Sequence, residues 1–551
     1  MLQIFLFSFI STCFLASIGS FISFKEQVSG TIDHYTKKII YGIVLISFIS
    51  LACNFFTALT PEINSLIFLI IAILTILNKK TKKIIFNFKI LLPAIVVSIL
   101  CTLLIYKSKT YTPDAALYHL NYTGLINSEK IIIGIANLHH RFGFISIMQY
   151  TSAIFNNIIF SDNGIVLPSA ILAGSVIANF YSNFYLYIKK KQVSNIHFIY
   201  LFCVIIFVSI KMTRYSDYGN DAPGHFIFFF LISEILKEKF SKIDFDKIYL
   251  LTVFILLNKI SFILVCILPI IQVIKNKKIK IKATTILTSL LIIFWLVKNF
   301  LVTGCLIYPI EKTCYSKINW STNNNLTINT NQVLVETEAW AKGYPDQKIY
   351  NQKDFIKDFN WIKTWGTKHF FVIINKVFPF ILVLLISYFF LRKGNDSNPP
   401  KNEIILKPLL IFFAASILLW FLKSPVYRFG YSSIILMIVI LYINIMKKFF
   451  IPTEKNIKFF YTTMLLLAVF VTLKQMPRIL LTENSDAWPN LYYKSEYEKI
   501  EIDNNTILIS SSCFYVKKPC TYYRDLKNKV YIKNIYSYKV ISSKIFTNEV
   551  N

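Results

Sequence analysis

Apolar runs long enough to cross a membrane recur along almost the whole chain, and they restrict its fold more than any other feature. Runs that span about 30 Å of hydrocarbon, or nearly so, begin near residues 2, 39, 62, 90, 165, 197, 224, 248, 283, 369, 403, 429 and 457. Hydrophobic residues make up 55% of the chain and charged residues only 16%, which is more apolar surface than one soluble core can bury. We therefore predict an all-α, polytopic integral membrane protein with about 13 or 14 transmembrane helices.

The number of spans depends on the stretch from Ile248 to Ile274. This stretch is too long for one helix and is interrupted at Asn258 and Lys259. Lysine clusters flank it on both sides. If both clusters are cytoplasmic, the stretch forms a hairpin of two short helices, and the higher count applies.

Lysine blocks between the apolar runs predict the orientation of the chain. Blocks at 79–83, 189–191, 392–393 and 447–455 are all cytoplasmic in one consistent membrane topology. The same topology predicts five extracytoplasmic segments: a first outer loop (107–161), a second outer loop (213–224), a large outer loop (303–367), the segment 424–429 and the tail from 475 onward. Because these blocks account for the net charge of +30, we expect no nucleic-acid partner. If the apolar segment Phe144–Phe160 crossed the membrane, the later lysine blocks would no longer be cytoplasmic. We therefore expect an interfacial or re-entrant helix there.

Four of the nine cysteines fall in proposed outer segments, and none falls in a proposed cytoplasmic loop. These four are Cys305, Cys314, Cys513 and Cys520. Two short-range pairs in an oxidising compartment are typical of disulfides, although four cysteines allow three pairings. The close spacing of Cys513 and Cys520, with Pro519 between them, favours a bridge within the second pair.

The first outer loop contains an acidic residue, Asp114, near its start. Thr112 is a typical N-cap and Pro113 suits the first position of a helix. Asp114 would then face the positive end of the helix dipole, which is a complete structural explanation of this acid. A functional role therefore needs support from elsewhere in the chain.

A row of three basic or titratable side chains, His139, His140 and Arg141, follows in the same loop, just before an apolar helix. Two imidazoles and a guanidinium suit an anionic ligand at the membrane surface. The alternative is an interfacial belt, in which these side chains only meet lipid headgroups.

The second outer loop holds two carboxylates, Asp217 and Asp221, among turn residues. Such a loop can supply oxygen ligands to a divalent cation. Asp, Asn, Gly and Pro are also what an ordinary turn contains, so both interpretations stay open.

Ionisable side chains inside or at the edge of spans are costly, and each becomes a candidate site residue. Lys259, Lys298 and Arg428 are of this kind. Snorkelling of a long side chain towards the surface explains Lys298. Lys259 is harder to explain in this way, because the tip of the proposed hairpin should lie at depth or near a cavity.

Several short motifs are distributed along the chain from the first outer loop to the tail. They are Asp114 with Tyr118-His119, Gly134–Phe144 with Asn137, His139 and Arg141, Lys259-Ile260-Ser261, Lys298-Asn299, Thr303-Gly304, Tyr308-Pro309, Pro425 with Arg428-Phe429-Gly430, and Cys513 with Pro519-Cys520-Thr521. Together they resemble a family of bacterial polytopic membrane proteins whose layout is similar to the GT-C superfamily of polyprenyl-phosphate-sugar-dependent glycosyltransferases. The resemblance implies a GT-C-like transmembrane domain over 1–475 and a small extracytoplasmic tail over 476–551. It also implies a multi-pass protein of the bacterial inner membrane with its active face outside.

The same resemblance implies roles for individual residues. Asp114 matches the essential acid of the first outer loop, which acts as a base towards the acceptor or helps to hold a metal. Arg141 and Arg428 match basic residues that face the phosphate of the lipid-linked donor. The other candidate substrate-binding residues are Lys259, His119, His139, His140 and Asn137. Asp217 and Asp221 are the candidate ligands of a divalent ion such as Mg²⁺ or Mn²⁺.

The function expected from the resemblance is inverting transfer of a sugar from a polyprenyl-phosphate-type carrier to an extracytoplasmic glycan or lipid. The expected partners are therefore the lipid-linked donor, the acceptor and membrane lipids. One alternative is an oligosaccharide polymerase or ligase, which uses outer-loop Arg and His residues and needs no metal and no Asp base. Another is a lipid-linked sugar flippase, which should carry charges along a central cavity rather than on one face. The chain has no P-loop, so an ATP-driven pump is not expected.

Overall fold

A computed structural model describes residues 1–24, 30–78, 90–108, 113–190, 195–210, 221–238, 242–276, 281–345, 351–391, 406–447, 454–480, 486–492 and 496–544. The α-helices are α1 (Leu2–Gly19), α2 (Thr31–Asn54), α3 (Pro61–Leu77), α4 (Leu91–Ile105), α5 (Leu120–Ser128), α6 (Ile147–Ile154), α7 (Leu167–Lys190), α8 (Asn195–Ile210), α9 (Asp221–Glu238), α10 (Phe245–Asn258), α11 (Ile267–Asn276), α12 (Ala283–Thr303), α13 (Thr330–Ala341), α14 (Gln352–Lys357), α15 (Trp361–Trp365), α16 (Phe371–Leu391), α17 (Leu406–Lys423), α18 (Tyr427–Met446) and α19 (Glu454–Leu480). The protein is thus mostly helical.

Within these described ranges, eight helical segments are long and apolar enough to cross a membrane. They are Leu2–Gly19, Thr31–Asn54, Asp162–Lys189, Ala283–Thr303, Trp361–Leu391, Leu406–Lys423, Tyr427–Met446 and Ile457–Leu480. Four shorter apolar helices accompany them: Pro61–Leu77, Leu91–Ile105, Ile196–Ile210 and Ile260–Ile274. The length and composition of these helices make the chain a multi-pass membrane protein, as the apolar runs predicted.

The predicted interruption at Lys259 is confirmed. Helix α10 ends at Asn258, and Lys259 has an extended backbone with φ −159° and ψ 124°. A 3₁₀ segment, Ile260–Cys266, then leads into α11. Helices α10 and α11 pack against each other, so the stretch folds back on itself instead of crossing as one long helix.

The segment Phe144–Phe160 was predicted to be an interfacial or re-entrant helix; its burial does not fit an interfacial position, and the re-entrant alternative stays a prediction. The α-helix in this segment, α6, has only eight residues, and all of them are buried. It packs against α2, α5 and α7. A capping box between Ser146 and Gln149 fixes where it begins. An apolar helix of this length is covered by the protein itself, so its hydrophobicity reflects core packing instead of contact with lipid headgroups.

In the described part of the tail beyond α19, the regular elements are β-strands, which corrects the all-α prediction for this part of the chain. Its strands are β1 (Glu498–Ile502), β2 (Asn505–Ile509), β3 (Cys520–Thr521), β4 (Val530–Ile535) and β5 (Tyr538–Ser543). Strand β2 pairs with β1 in antiparallel orientation and with β3 in parallel orientation. Strands β4 and β5 form a separate antiparallel pair. The strands are short and rich in Ile, Val and Tyr, which favour the pleated backbone.

The tail docks onto the first outer loop through backbone hydrogen bonds. The Phe514 amide donates to the Ala116 carbonyl over 2.7 Å, and the Ile541 amide donates to the Ile133 carbonyl over 2.9 Å. The Ile133 amide in turn donates to the Lys539 carbonyl over 2.9 Å. Loop and tail therefore lie at the same end of the helical bundle.

A buried ion network lies at the other end of the bundle. We use this name for Asp33, Lys37, Glu234, Lys237, Glu238 and Lys247. The Lys37 ammonium lies 2.8 Å from a Glu234 oxygen, and the Lys237 ammonium lies 2.8 Å from an Asp33 oxygen. Lys247 contacts both Glu234 and Glu238. The network ties α2, α9 and α10 together, and its three lysines balance its three acids.

Candidate functional site

Asp114 binds two arginines that come from distant parts of the chain. The Arg141 Nη1 donates to its Oδ1 over 2.7 Å, and the Arg428 Nη1 donates to its Oδ2 over 2.7 Å. The Asp114 side chain makes no capping hydrogen bond to the helix that follows it. Asp114 does follow Pro113 in the first turn of a helical segment, as predicted, but its side-chain contacts are with the two arginines. Thr112, the predicted N-cap, lies outside the described residues.

Asp221 extends this arrangement on the other side of Arg428. One of its oxygens contacts the Lys259 ammonium, and the other lies 3.9 Å from the Arg428 Nε. The order Lys259, Asp221, Arg428, Asp114, Arg141 alternates in sign. We call these five residues the charged cluster. Three cations against two carboxylates leave it with one net positive charge.

The charged cluster forms where several helix ends meet. Pro113 and Asp114 are helical and lead directly into the π-turn Ala115–His119. Asp221 is the first residue of α9, and Arg428 is the second residue of α18. Arg141 lies in a 3₁₀ segment of the first outer loop, and Lys259 occupies the break after α10. Four of these charges lie at helix ends or at a helix interruption and Arg141 lies in a loop, so none is in the middle of an apolar helix, where a charge costs most.

The carboxylate and the guanidiniums of the charged cluster differ in accessibility. The Asp114 side chain is 18% exposed, whereas Arg141 and Arg428 are each 38% exposed. Each guanidinium uses one Nη on Asp114. The Arg428 Nε is buried and faces Asp221, so the donors left for an anion are the remaining Nη groups and the Arg141 Nε. Donors of both arginines therefore remain available to an anion, which a guanidinium binds through two parallel hydrogen bonds.

Neighbouring charges determine the protonation of Asp114. Burial alone would raise its pKa, but Arg428 and Arg141, joined by His119 where acid protonates that ring, outweigh burial, and the pKa lies below its ordinary value. Asp114 is therefore ionised near neutral pH. A carboxylate with a lowered pKa and two guanidinium partners is a weak proton acceptor as long as both partners stay in place.

Aromatic rings surround the cations. The Arg428 Cζ lies 5.2 Å from the centre of the Trp340 ring, and the Arg141 Cζ lies 5.8 Å from that of Tyr118. The Lys259 ammonium lies 3.5 Å from the centre of the Phe429 ring. The electron-rich faces of these rings stabilise the cations and fix their directions.

The predicted histidines lie beside the charged cluster, and all three are neutral. Burial lowers the pKa of His119 to about 4 and that of His140 to about 3, and it lowers the pKa of His139 well below its ordinary value. His119 Nδ1 lies 3.0 Å from the Gln149 amide nitrogen. His139 Nδ1 accepts from the Arg141 backbone amide over 3.2 Å, so this ring helps to place Arg141. Neutral imidazoles add hydrogen bonds but no charge to the site.

Two other candidate residues do not join the charged cluster. The Asn137 amide donates to the Trp320 and Ile541 carbonyls over 2.9 and 3.2 Å, so it connects the first loop to the large outer loop and the tail. The Lys298 ammonium lies 3.5 Å from the centre of the Trp295 ring and has no hydrogen-bond partner within the described ranges. Asn137 is thus a structural residue in this arrangement.

The donor set does not fit the predicted divalent ion. Asp217 lies outside the described residues. Asp221 is held by Lys259 and faces Arg428, and these two positive charges oppose a divalent cation at the same carboxylate. In the part of the chain that the structure describes, no three His, Cys, Asp or Glu side chains form a group that could hold a metal.

Both predicted short-range disulfides are present. Cys305 is bonded to Cys314 and Cys513 to Cys520. The second bridge closes the loop that leads directly into Tyr522 in the tail.

The tail contributes residues that the sequence did not single out. The Tyr522 hydroxyl donates to that of Tyr523 over 3.0 Å, and the Tyr523 hydroxyl lies 2.7 Å from His140 Nδ1. Trp340, next to Arg428, was also missed. The available signal was weak, because Tyr and Trp are common in outer loops and only the bridge at Cys520 marks this part of the tail.

Fold and site together define a multi-pass helical membrane protein with a cation-rich polar site at one end of its bundle. Residues 1–435 match the family described as Domain of unknown function (DUF8201), and the chain belongs to that family. The match contains all five residues of the charged cluster and ends before the β-strands of the tail. No curated protein and no solved structure matches the chain.

Proposed function

We propose that the protein is a membrane glycosyltransferase that moves a sugar from a polyprenyl-phosphate-linked donor to an extracytoplasmic glycan or lipid. The observation that carries this proposal is the arginine pair, Arg141 and Arg428, held on opposite oxygens of Asp114 with donors left over. Two convergent guanidiniums suit the phosphate of such a donor, because planar forks match phosphate oxygens in pairs. The apolar spans around the site suit a substrate with a long lipid tail.

In this reaction the charged cluster stabilises the leaving phosphate. Negative charge grows on the phosphate oxygen as the bond to the sugar breaks, and fixed guanidiniums stabilise that charge without reorganising. Lys259 adds a third cation on the far side of Asp221. The net positive charge of the cluster favours the anionic donor before the transfer and the anionic lipid phosphate after it.

The role of Asp114 in the proposed reaction depends on whether both arginines stay bound to it. With both arginines on its oxygens it orients them, and its lowered pKa makes it a weak base. When one guanidinium turns to the donor phosphate, an Asp114 oxygen becomes free to accept a hydrogen bond from the acceptor hydroxyl. The carboxylate then orients or deprotonates that hydroxyl as it attacks the sugar.

The second candidate function is an oligosaccharide polymerase or ligase that acts on the same kind of donor. The observation that favours it is that both Asp114 oxygens accept from guanidiniums, which leaves arginines and neutral histidines as the active groups. Such an enzyme moves a glycan block, whereas a transferase moves one sugar. The mass of the product distinguishes them.

The test of the proposed function compares lipid-linked and surface glycans from cells that contain the protein and cells that lack it. We expect mass spectrometry to show a product that is one sugar heavier than its precursor, only in the presence of the protein. Growth of the product by repeated multi-sugar blocks would support the polymerase or ligase instead. Identical glycans in the two strains would contradict both functions.

The proposal requires the charged cluster to face away from the cytoplasm of a bacterial inner membrane. We expect a reporter fused after residue 192 to be cytoplasmic, because Lys189–Lys191 belong to the lysine blocks that face inward. A reporter fused after residue 551 should be extracytoplasmic. A cytoplasmic signal from the second fusion would place the docked tail and the charged cluster on the wrong side for this reaction.

A further inference from the structure

Two large aromatic side chains next to the charged cluster are exposed. Trp340, on α13 of the large outer loop, is 51% exposed and lies over Arg428. Tyr522, in the tail, is 38% exposed, and the charge of Arg141 acts on its phenol. Single exposed aromatic rings are ordinary on a protein surface, so exposure alone does not indicate a partner. Here each of the two rings is beside one of the two arginines.

Helix α13 and the tail are neighbours at this position. Glu336 is exposed and lies one turn before Trp340 on the same face of α13. Val333 of α13 and Tyr523 of the tail belong to one hydrophobic cluster, and the charge of Glu336 reaches the phenols of Tyr522 and Tyr523. The Glu336 carboxylate is therefore near the two tail tyrosines, and it is not one of the five residues of the charged cluster.

The tail side of this surface is held firmly. The Cys513–Cys520 bridge and the pairing of β2 with β3 fix the segment just before Tyr522. The Thr521 hydroxyl donates to the Leu138 carbonyl over 2.9 Å, which attaches the segment to the first outer loop. Tyr522 is then connected through Tyr523 to His140. Its position relative to Arg141 is thus preorganised.

We infer that Trp340, Glu336 and Tyr522 form a carbohydrate subsite beside the charged cluster. The C–H groups on one face of a sugar ring are apolar and weakly positive, so they stack on the negative face of an indole or phenol ring. The Glu336 carboxylate and the Tyr522 hydroxyl can bond the sugar hydroxyls between them. This inference rests on the proposed function, because it assigns the sugar-binding part of the same site.

A sugar-binding measurement without catalysis tests the subsite. The intact protein is purified in a zwitterionic detergent without a sugar headgroup, and the probes are glucose, galactose, N-acetylglucosamine and N-acetylgalactosamine. We expect saturation-transfer NMR to detect binding of at least one of them. Trp340→Ala and Tyr522→Ala should each weaken that binding by about tenfold, the value of one well-placed aromatic contact. Both residues are exposed, so neither change removes core packing.

The matched control is Tyr536→Ala, since Tyr536 is a tyrosine of the tail that is 93% exposed in the β4–β5 turn. Its removal should leave sugar binding unchanged. Absence of binding by all four sugars, or equal binding by the two test variants and the control, would overturn the subsite. Sugar binding that needs Trp340 and Tyr522 in a protein that makes no glycan product would support the subsite while contradicting the proposed function. If the protein makes the glycan product but Trp340→Ala and Tyr522→Ala leave sugar binding unchanged, the subsite is contradicted and the proposed function is supported.

Discussion

Replacing Asp114 with Asn is expected to lower glycan product by on the order of a hundredfold or more, with normal expression and folding. The amide has the same shape as the carboxylate but carries no charge. It would hold two guanidiniums weakly, and it cannot accept a proton from the acceptor hydroxyl. The measurement is lipid-linked or surface glycan formed by wild type and variant at matched protein levels.

The expected size of this effect separates a functional Asp114 from a helix-capping one. If the side chain only complemented the helix dipole, its charge would contribute roughly 0.3–1 kcal/mol of stability, and product formation would survive the substitution. Asp354→Asn is the matched control, because Asp354 is an exposed acid in the first turn of α14 in the large outer loop. Equal product from the Asp114 variant and the Asp354 variant would remove the main support for the transferase.

The pH dependence gives a second check on Asp114. Because its pKa lies below the ordinary value, the group is ionised from neutral pH down to about 4. Its charge supports folding above the unfolded-state pKa, and this support is lost as the pH falls through the lowered folded-state pKa. Loss of product between pH 6 and pH 7 would therefore have to come from another group.

The sequence identified the members of the charged cluster one at a time but not their pairing. Asp114, Arg141, Lys259 and Arg428 each drew attention as a charge at an outer loop or a helix interruption, where burial is costly unless the charge is satisfied. That argument is local and needs no knowledge of the fold. Which carboxylate holds which arginine depends on how distant helix ends meet, and no residue spacing encodes that.

The sequence was least informative where charge or aromaticity has two explanations. Lys37 and Lys247 looked like ordinary basic residues outside the apolar runs, because the predicted span begins near residue 39 while α2 begins at Thr31. Trp340 and Tyr522 looked like common loop residues. The structure assigns all four to specific partners. In each case the missing information was the neighbouring element, which hydropathy does not contain.

Replacing Lys37 with Met is expected to destabilise the protein by roughly 3–5 kcal/mol. The Lys37 ammonium is fully buried and contacts Glu234 and Asp33, which are also fully buried. Methionine fills a similar volume, so little packing is lost. The cost comes from the excess negative charge left inside the bundle, where water cannot solvate it.

A charge-balanced double variant tests this explanation of the Lys37 effect. Lys37→Met combined with Glu234→Gln removes one charge of each sign, so it should be clearly more stable than Lys37→Met alone, even though it carries an additional substitution. Lys458→Met is the control, because Lys458 is exposed on α19. Equilibrium unfolding in mixed micelles compares the free energies of unfolding of all four proteins. If Lys37→Met unfolds like the Lys458 control, or if the double variant is less stable than the single one, the network does not owe its stability to charge balance.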